Sequence, residues 1–496
     1  MDTRTNTNEV VNLLLIGFGP HAKRIYFPIY VKNGKENYFK IVHAVDLVNK
    51  KEDLENYFKI NNYSPIDILF LGKGEYGYSE LTPKVKDKLN KIVKQKNIKG
   101  VIISTEPLAH LCYAKWALEN GLSILMDKPI STAKDVTTSL SAVEQIKNDF
   151  ELLKNYYQKA KKKYPNIVFN LMAQRRYHPA FQKIRELIKE VGDKTNCPIT
   201  SIQSFHSDGQ WRMPNEIIDL DYHSYNQGYG KCSHSGYHSI DIAPWLIQSY
   251  IPEEKKLNNI DIFSNFSKPT DFLKQINLDD YKKIFSNFDK YNKYDKKTLL
   301  EKYKKYGEID CFLSLAYKID DKVITLSTVN LLHNGFSQRG WLNPENRDLY
   351  KGNGRLRHES HYIAQGPFQS ISFISYQSEE VNPNNFKDIY KVGGEYHLDI
   401  HVFRNSNLFP NWKSYEKISI KDLTNKDLLG KSRGHQEDAR KKCVIEFVKM
   451  IKGFSNIKPL SDYLDHELST MLFYAAYKSF VLRTQGKNPI INVKIN

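Results

Sequence analysis

Two side chains of this sequence have the chemistry that proton transfer requires. Lys128 stands in the tripeptide Asp127-Lys128-Pro129, and proline restricts the residue before it to extended conformations, which fixes where the lysine side chain leaves the backbone. A lysine held in this way can stabilise negative charge on a substrate oxygen or exchange its proton. His238 is the second candidate, because histidine titrates near ~6.5 and can act as acid or base around neutral pH. We predict that both are catalytic; the alternatives are a solvated surface lysine and a buried, hydrogen-bonded histidine.

Two further polar residues lie close to His238 in the sequence. Asp241 is three residues later and His234 four residues earlier, so all three share one face if this segment is helical. His234 is a third catalytic candidate, and both His234 and Asp241 are predicted to contact the substrate. Together with His206 and His223 these histidines raise the question of a metal site. No metal-binding spacing of histidine, glutamate or cysteine accompanies them, so no metal is expected.

A glycine-rich segment near the N-terminus predicts a dinucleotide site. It reads Gly17-Phe18-Gly19-Pro20-His21-Ala22, which fits the pattern Gly-x-Gly-x-x-Gly/Ala. The segment follows an apolar run at 10–16 and can open a helix whose first N–H groups would face the phosphates. Asp46 ends a second apolar run, at 39–46, where a carboxylate accepts hydrogen bonds from the adenosine ribose and favours NAD. Lys50 and Lys51 nearby leave NADP open, and a glycine turn that binds nothing is the alternative.

A family resemblance starts after the apolar run at 101–104, which is a predicted strand. The chain there carries Thr105, Pro107 and His110, then Ala117-Leu118-Glu119-Asn120-Gly121, and then Asp127-Lys128-Pro129. This order resembles the Gfo/Idh/MocA family, the glucose–fructose oxidoreductase and inositol dehydrogenase group, with its signatures Thr-Pro-x-x-x-His, Ala-Leu-x-x-Gly-Lys and Glu-Lys-Pro. The aspartate in the last signature and the extra Glu106 are departures. Further segments that resemble the family are Gln174-Arg175-Arg176-Tyr177-His178-Pro179, Gly236-Tyr237-His238-Ser239-Ile240-Asp241 and, in outline, 464–483.

The resemblance implies an NAD(P)-dependent oxidoreductase that transfers a hydride between nicotinamide and a hydroxyl or keto group of a sugar or sugar derivative. Lys128 would polarise or deprotonate the reacting oxygen, and His238 would exchange the proton. The family commonly has aspartate where this chain has His234, so either His234 takes over a substrate contact or the activity differs. Two alternatives stay open: an NAD-using sugar epimerase or eliminase without net redox change, and a non-catalytic dinucleotide-binding homologue.

Two sets of binding residues follow from the loop pattern and the resemblance. The predicted cofactor-binding residues are Gly17, Phe18, Gly19, Pro20, His21, Asp46, Ser104, Thr105, Pro107, His110, Asp127 and Lys128. The predicted substrate-binding residues are Arg176, His206, Trp211, Arg212, His234 and Asp241. Arginine and histidine beside aromatic rings suit a polyhydroxylated or anionic ligand, because a planar guanidinium binds carboxylate or phosphate at two points.

The pattern of apolar residues predicts the elements that position these groups. Apolar runs of strand length alternate with helical segments in the N-terminal part, which predicts a parallel sheet covered on both faces. Later strands alternate polar and apolar residues, as in an antiparallel sheet. We therefore predict an α/β Rossmann domain over 1–165, with its last helix over 134–163. An α+β domain with a large, mainly antiparallel sheet is predicted over 166–496, including an insertion at about 253–306 and closing helices over 436–483.

The composition narrows the class of protein. The 496 residues are 40% hydrophobic and contain no apolar run of about 18 residues, which predicts folded, soluble domains and no membrane span. The net charge is +17, but lysine is spread along the whole chain, so no nucleic-acid partner is expected. Five scattered cysteines indicate a reducing compartment, and we predict a cytoplasmic protein. The resembled family often assembles through its antiparallel sheet, which implies a homodimer or homotetramer.

Overall fold

The structure is a computed structural model, and it forms two compact units. It describes residues 9–72, 74–75, 77, 79–221, 223–340, 354–378, 388–424, 435–453 and 458–495. The first unit comprises Met1–Thr132, Ile146–His178 and Gln436–Thr470. The second comprises Ala133–Gln145, Pro179–His435 and Met471–Asn496. The boundary that the sequence suggested, between residues 165 and 166, stays a prediction.

A parallel sheet forms the centre of the first unit. Its strands are β1 (Val11–Ile16), β2 (Phe39–Leu47), β3 (Asp67–Leu71), β4 (Ile98–Ile103), β5 (Ser123–Met126) and β6 (Phe169–Leu171). They lie in the order β3-β2-β1-β4-β5-β6, and every neighbouring pair is parallel. All four residues of β5 are buried, as expected for a strand covered on both faces. The predicted Rossmann sheet is confirmed.

The helices alternate with these strands and continue through the second unit. They are α1 (Pro20–Arg24), α2 (Tyr26–Asn33), α3 (Lys51–Ile60), α4 (Pro83–Gln95), α5 (His110–Glu119), α6 (Leu140–Lys163), α7 (Gln174–Tyr177), α8 (Pro179–Thr195), α9 (Pro214–Asp219), α10 (Tyr237–Ile247), α11 (Pro269–Gln275), α12 (Leu278–Ile284), α13 (Phe288–Tyr291), α14 (Lys296–Tyr303), α15 (Ile420–Leu423), α16 (His435–Ile451) and α17 (Glu467–Thr484). None of the helices in the described ranges combines the length and apolarity that a membrane span needs.

Helix α6 starts later than the sequence suggested. The prediction of a helix from residue 134 is wrong, because the helix begins at Leu140. The hydroxyl of Ser139 accepts the N–H of Ala142 at 3.3 Å, which is the usual role of serine before a first helical turn. Asp135, with a φ of 59°, lies outside helical geometry.

Helix α16 packs into the same core as the glycine loop. Its apolar side chains Ala439, Cys443, Val444, Phe447 and Val448 join one buried cluster with residues of the loop and of α2. Phe18 of the glycine motif and Tyr26 of α2 belong to this cluster, and each is 1% exposed. A helix from the end of the chain therefore supports the loop at its beginning.

A mixed sheet of nine strands forms the centre of the second unit. Its strands are β7 (Ser201–Ser207), β8 (Asn259–Ser267), β9 (Asp310–Ile319), β10 (Lys322–Leu332), β11 (Leu356–Gln365), β12 (Gln369–Ser378), β13 (Asp399–Arg404), β14 (Tyr415–Ser419) and β15 (Ile491–Lys494). Their order is β14-β13-β12-β11-β7-β10-β9-β8-β15. Only the β7–β10 pair is parallel among these strands, which confirms the mainly antiparallel prediction.

The predicted insertion at 253–306 contains both a strand and a helical layer. Strand β8 pairs with β9 in the large sheet, so this part of the segment belongs to the sheet itself. Helices α11 to α14 follow and build an apolar cluster around Tyr281, Phe288 and Tyr303. Trp211 packs against this cluster, which joins the helical layer to the loop after β7.

Candidate functional site

The glycine loop lies at the carboxyl end of β1, where ligands of parallel sheets bind. Gly17 has a φ of +85°, and a Cβ there would lie 2.5 Å from the carbonyl oxygen of Ser104. Gly17 therefore allows both the turn and the close approach of β4. Gly19 differs, because a Cβ there would meet no atom within 4 Å. This open space in front of the backbone fits the pyrophosphate of a dinucleotide.

Gly19→Ala is expected to leave the fold intact and to weaken NAD binding. The φ of Gly19 is −73°, which alanine adopts without strain. A methyl group would occupy the space that the pyrophosphate needs, so the Kd for NAD should rise at least about tenfold. The free energy of unfolding in urea should change by less than about 0.5 kcal/mol. Gly17→Ala is the contrasting variant and should lose stability as well. Unchanged NAD affinity in Gly19→Ala, measured by calorimetry, would contradict this placement.

Asp46 connects the end of β2 to the glycine loop. One carboxylate oxygen accepts the N–H of Phe18 at 2.7 Å, and the other accepts the N–H of Leu47 at 2.7 Å. Burial raises the pKa of Asp46, and the two backbone donors partly oppose this. The carboxylate is half-buried, so it supports the loop while a part of it faces outward. This position fits the predicted contact with the adenosine ribose.

Asp127 is the centre of a buried hydrogen-bond network in the first unit. Its carboxylate accepts hydrogen bonds from the Tyr26 hydroxyl at 2.5 Å and the Ser104 hydroxyl at 2.7 Å, and it lies 2.8 Å from Nδ1 of His21. Burial alone would raise the pKa of Asp127, but these three partners outweigh it and hold the pKa well below its ordinary range. The network joins the glycine loop, α2 and the end of β4 to the Asp-Lys-Pro signature.

Lys128 is half-buried, and the backbone on both sides of it is held in place. The N–H of Asp127 donates to the carbonyl of Ile103 at 2.9 Å. On the other side, the carbonyl of Pro129 lies 2.8 Å from Nδ1 of His110, whose ring is fully buried. His110 also reaches the carbonyl of Thr105 at 3.2 Å. His110 and Thr105 therefore shape the loops around Lys128, and their predicted contacts with the cofactor stay predictions.

The histidines of the second unit lie on an irregular helical segment. A π-helical turn, Cys232–Gly236, carries His234 and leads into α10, which carries His238 and Asp241. Such turns are frequent at functional sites. His234 stacks on His223 at 4.7 Å between ring centroids, and its Nε2 lies 3.1 Å from the carbonyl of Ser224. His234 is 6% exposed and His238 is 9% exposed.

A recess beside these histidines collects polar and aromatic side chains. It is lined by Gln210, Arg212, Ile217, Tyr225, Phe272, Ile309, His333 and Asn334. Arg212 donates to the carbonyl of His223 at 3.0 Å, and its guanidinium lies 5.3 Å from the ring centre of Tyr225. His333 bridges Tyr225 and Gln210 through its two ring nitrogens. The recess is small: its cavity of about 10 Å³ has room for about one water molecule.

Three other predicted substrate residues have structural partners. His206 lies 3.1 Å from the buried Nζ of Lys231. Trp211 donates to the Tyr281 hydroxyl at 3.1 Å and stacks on that ring. Arg176 belongs to the first unit, is 2% exposed and donates to the carbonyl of Asp465 at 3.3 Å. The structure thus brings Arg212 and His234 close to one recess, while Arg176 lies in a different unit.

Several residues of these networks were not singled out by the sequence. Tyr26, Lys231, Tyr225 and Glu216 carry no motif, and only the fold places them beside their partners. Glu216 is an example, since it binds the buried Arg339 guanidinium through both carboxylate oxygens, at 2.6 and 2.8 Å. Within the described ranges, no group of three or more histidine, cysteine, aspartate or glutamate side chains could hold a metal ion.

Glu308 lies fully buried beside the π-helical turn. One of its carboxylate oxygens accepts the N–H of Cys232 at 2.7 Å and the hydroxyl of Tyr477 at 2.8 Å. Burial raises the pKa of Glu308 from its ordinary 4.5 to about 7. The folded protein therefore binds this proton more tightly than the unfolded chain, so stability falls as the pH rises from 4.5 through 7.

Glu308→Gln should remove this pH dependence. A glutamine keeps an acceptor for Cys232 and Tyr477 but has no charge to bury. The variant should match the wild type near pH 5 and exceed its free energy of unfolding by up to about 3 kcal/mol at pH 8.5, as measured in urea. Glu301→Gln, at a side chain that is 72% exposed, is the control and should leave the pH profile unchanged. If Glu308→Gln is equally destabilised at both pH values, the carboxylate is not titrating near neutrality.

The sequence profile of a known protein family matches the N-terminal part of the chain. Residues 11–154 match the sequence profile of the Gfo/Idh/MocA family, described as "Oxidoreductase family, NAD-binding Rossmann fold". No curated protein sequence matches the chain. An oxidoreductase domain protein from Kribbella flavida has a similar structure, with a TM-score of 0.59 and 11% identity, over 98% of this chain and 100% of that chain.

Two other solved structures of similar fold contain ligands. A levoglucosan dehydrogenase in complex with NADH and levoglucosan has a TM-score of 0.56 and 13% identity, over 98% of this chain and 100% of that chain. The WlbA dehydrogenase of Bordetella pertussis in complex with NADH and UDP-GlcNAcA has a TM-score of 0.54 and 10% identity, over 99% of each chain. At such identities the likeness concerns the fold. Over residues 11–154 this chain therefore matches the sequence pattern of the Gfo/Idh/MocA family of NAD-binding oxidoreductases.

Proposed function

We propose that this protein transfers a hydride between NAD and a hydroxyl or keto group of a sugar-like substrate. The observation that carries the proposal is the buried Asp127 network, which joins the glycine loop to the Asp-Lys-Pro signature. Lys128 directly follows Asp127, whose carboxylate is hydrogen-bonded to His21 of the glycine loop. The similar structures of dehydrogenases with NADH and levoglucosan or UDP-GlcNAcA support a carbohydrate substrate class.

The residues of the chain would divide the work as follows. NAD, when bound, supplies the hydride acceptor or donor, and the open backbone at Gly19 and the carboxylate of Asp46 would hold it. Lys128 would stabilise charge on the reacting oxygen or take its proton. His238 would exchange that proton with solvent, since imidazole can gain and lose protons near neutral pH.

In the second unit, Arg212 is our candidate for binding a polar substrate. Arg212 would donate hydrogen bonds to hydroxyl, carboxylate or phosphate oxygens, whereas His333 is already hydrogen-bonded through both ring nitrogens. The chain has His234 where the resembled family has an acid, and this ring stacks on His223. This substitution keeps open a reaction without net redox change, in which NAD is reduced and reoxidised within one turnover.

A substrate screen tests the proposal. The purified protein is incubated with NAD and with neutral sugars, sugar acids, sugar phosphates and nucleotide-linked sugars, and NADH is followed by its absorbance. Steady NADH formation with one class is the expected result. Epimerised or eliminated product with no free NADH would favour the alternative reaction. NAD binding with no turnover on any class would refute both and indicate a binding protein. A homodimer or homotetramer is the associated expectation, which light scattering can check.

A further inference from the structure

The glycine loop of this chain carries an ionisable side chain. His21 is the second residue of α1, directly after Pro20, and it occupies one of the variable positions of the motif. Its Nδ1 lies 2.8 Å from a carboxylate oxygen of Asp127. The side chain of His21 is 31% exposed, whereas that of Asp127 is 12% exposed. The ring therefore bridges a buried carboxylate and the outer surface of the loop.

The partner of Nδ1 determines the state of the ring. Asp127 stays ionised, because its hydrogen-bond donors hold its pKa well below the ordinary range, so it can only accept. Nδ1 of His21 must therefore carry a hydrogen in both ring states. In the neutral ring Nε2 is a hydrogen-bond acceptor, and in the imidazolium it is a donor. Within the described ranges no group hydrogen-bonds to Nε2, and a ligand can do so.

The charges around His21 are those of Asp127, Arg24 of α1 and Arg440 of α16, with the ring of Tyr26 from α2 at 5.3 Å. Burial lowers the pKa of His21, Asp127 opposes this, and the two arginines add to the lowering. The ring is therefore neutral in the free protein above its ordinary pKa of 6.5. A nearby dianion would reverse the balance, because it favours the charged ring.

We propose that His21 takes up a proton when NAD binds and that its Nε2–H then hydrogen-bonds to the pyrophosphate. The pyrophosphate of a dinucleotide lies at the start of the helix that this motif opens, which is where His21 stands. Binding and protonation are then linked, so NAD affinity falls as the pH rises. One proton taken up corresponds to about a tenfold rise in Kd per pH unit. This inference depends on the NAD-binding fold and not on the proposed reaction or its substrate.

Calorimetry of the wild-type protein tests the proposal directly. NAD is titrated at pH 7.5 in buffers with different ionisation enthalpies. The observed binding enthalpy is plotted against the ionisation enthalpy of the buffer, and the slope gives the number of protons taken up. The expected value is about 0.5 to 1 proton per NAD, together with a Kd that rises with pH. ADP-ribose, which has the pyrophosphate without nicotinamide, should show the same uptake, and adenosine should show none.

Matched variants assign the proton to one ring. His21→Asn should abolish the uptake and flatten the pH profile of Kd, whereas His401→Asn, on strand β13 of the other unit, should behave as the wild type. Asp127→Asn should reduce the uptake, because the ring loses the carboxylate that favours its charge. The proposal fails if wild type takes up no proton, if His21→Asn retains the uptake, or if uptake requires the nicotinamide half. Failure of the wild type to bind NAD would also overturn it, whereas an unsuccessful substrate screen would leave it standing.

Discussion

Lys128→Met is expected to lower kcat/KM by about 10²- to 10⁴-fold while the affinity for NAD changes by less than about threefold. Methionine has nearly the length and volume of lysine but can neither hold a proton nor stabilise an oxyanion. The loss should therefore fall on the chemical step. It is measured with the substrate that the screen identifies, and NAD affinity is measured by calorimetry.

The surroundings of Lys128 explain why the loss should be large. The preceding Asp127 is fixed by three side-chain hydrogen bonds, and the following Pro129 carbonyl is held by His110. The ammonium group therefore starts from a rigid backbone, which is what a positioned catalytic group needs. The three hydrogen bonds of Asp127 come from His21, Tyr26 and Ser104, so they should persist in the variant. Lys134→Met, at an exposed lysine nearby, is the matched control. Wild-type turnover by Lys128→Met would refute the catalytic role.

Asp208→Asn is expected to destabilise the second unit by about 3–5 kcal/mol. Asp208 is 3% exposed and accepts hydrogen bonds from Lys231 Nζ, from Arg355 Nη2 at 2.8 Å and from Ser235 Oγ at 2.8 Å. Lys231 is fully buried and Arg355 is 6% exposed. An asparagine would leave two buried cations with no carboxylate between them. Because the cluster adjoins the π-helical turn through Ser235, the loss would also reach His234.

The charges predict an asymmetry between variants of this cluster. Lys231→Met should cost less than Asp208→Asn, because Arg355 still neutralises the carboxylate. Burial would raise the pKa of Asp208, but Lys231, His206 and Arg355 outweigh it and hold the pKa well below its ordinary range. The carboxylate therefore contributes its full stability above its unfolded pKa and loses it only as the pH falls through the lower folded value.

The free energies of unfolding of Asp208→Asn and Lys231→Met are measured in urea at pH 7. Asp193→Asn is the control, since that carboxylate forms an exposed pair with Lys189 and should matter by less than about 0.5 kcal/mol. Similar stability of Asp208→Asn and Asp193→Asn would show that the buried cluster is not the support that its geometry indicates. If Lys231→Met lowered the free energy of unfolding more than Asp208→Asn, Arg355 alone would not neutralise the carboxylate as we expect.

Local sequence patterns were sufficient to predict the fold of the first unit. The apolar run before Gly17, the glycine spacing and the Asp-Lys-Pro tripeptide are each contained in a few consecutive residues. The Rossmann sheet, the match to an NAD-binding family and the position of Lys128 after β5 could therefore be predicted. Strand β11 could not, because its polar residues hid the strand pattern. In the structure His361 of this strand is buried and lies within hydrogen-bond distance of Glu359 and Ser204, which are partners from the sheet itself.

The sequence by itself determined which short segments turn and where a lysine follows a strand, since glycine and proline act on their own dihedral angles and immediate neighbours. Only the tertiary structure decided which side chains, distant in the sequence, form hydrogen bonds or ion pairs with each other. Tyr26 and Asp127 are 101 residues apart, and Asp208 and Arg355 are 147 apart, yet each pair forms a buried hydrogen bond. Such pairs leave no periodic trace in the chain, because a buried polar group needs one partner at one place and the fold alone supplies that place.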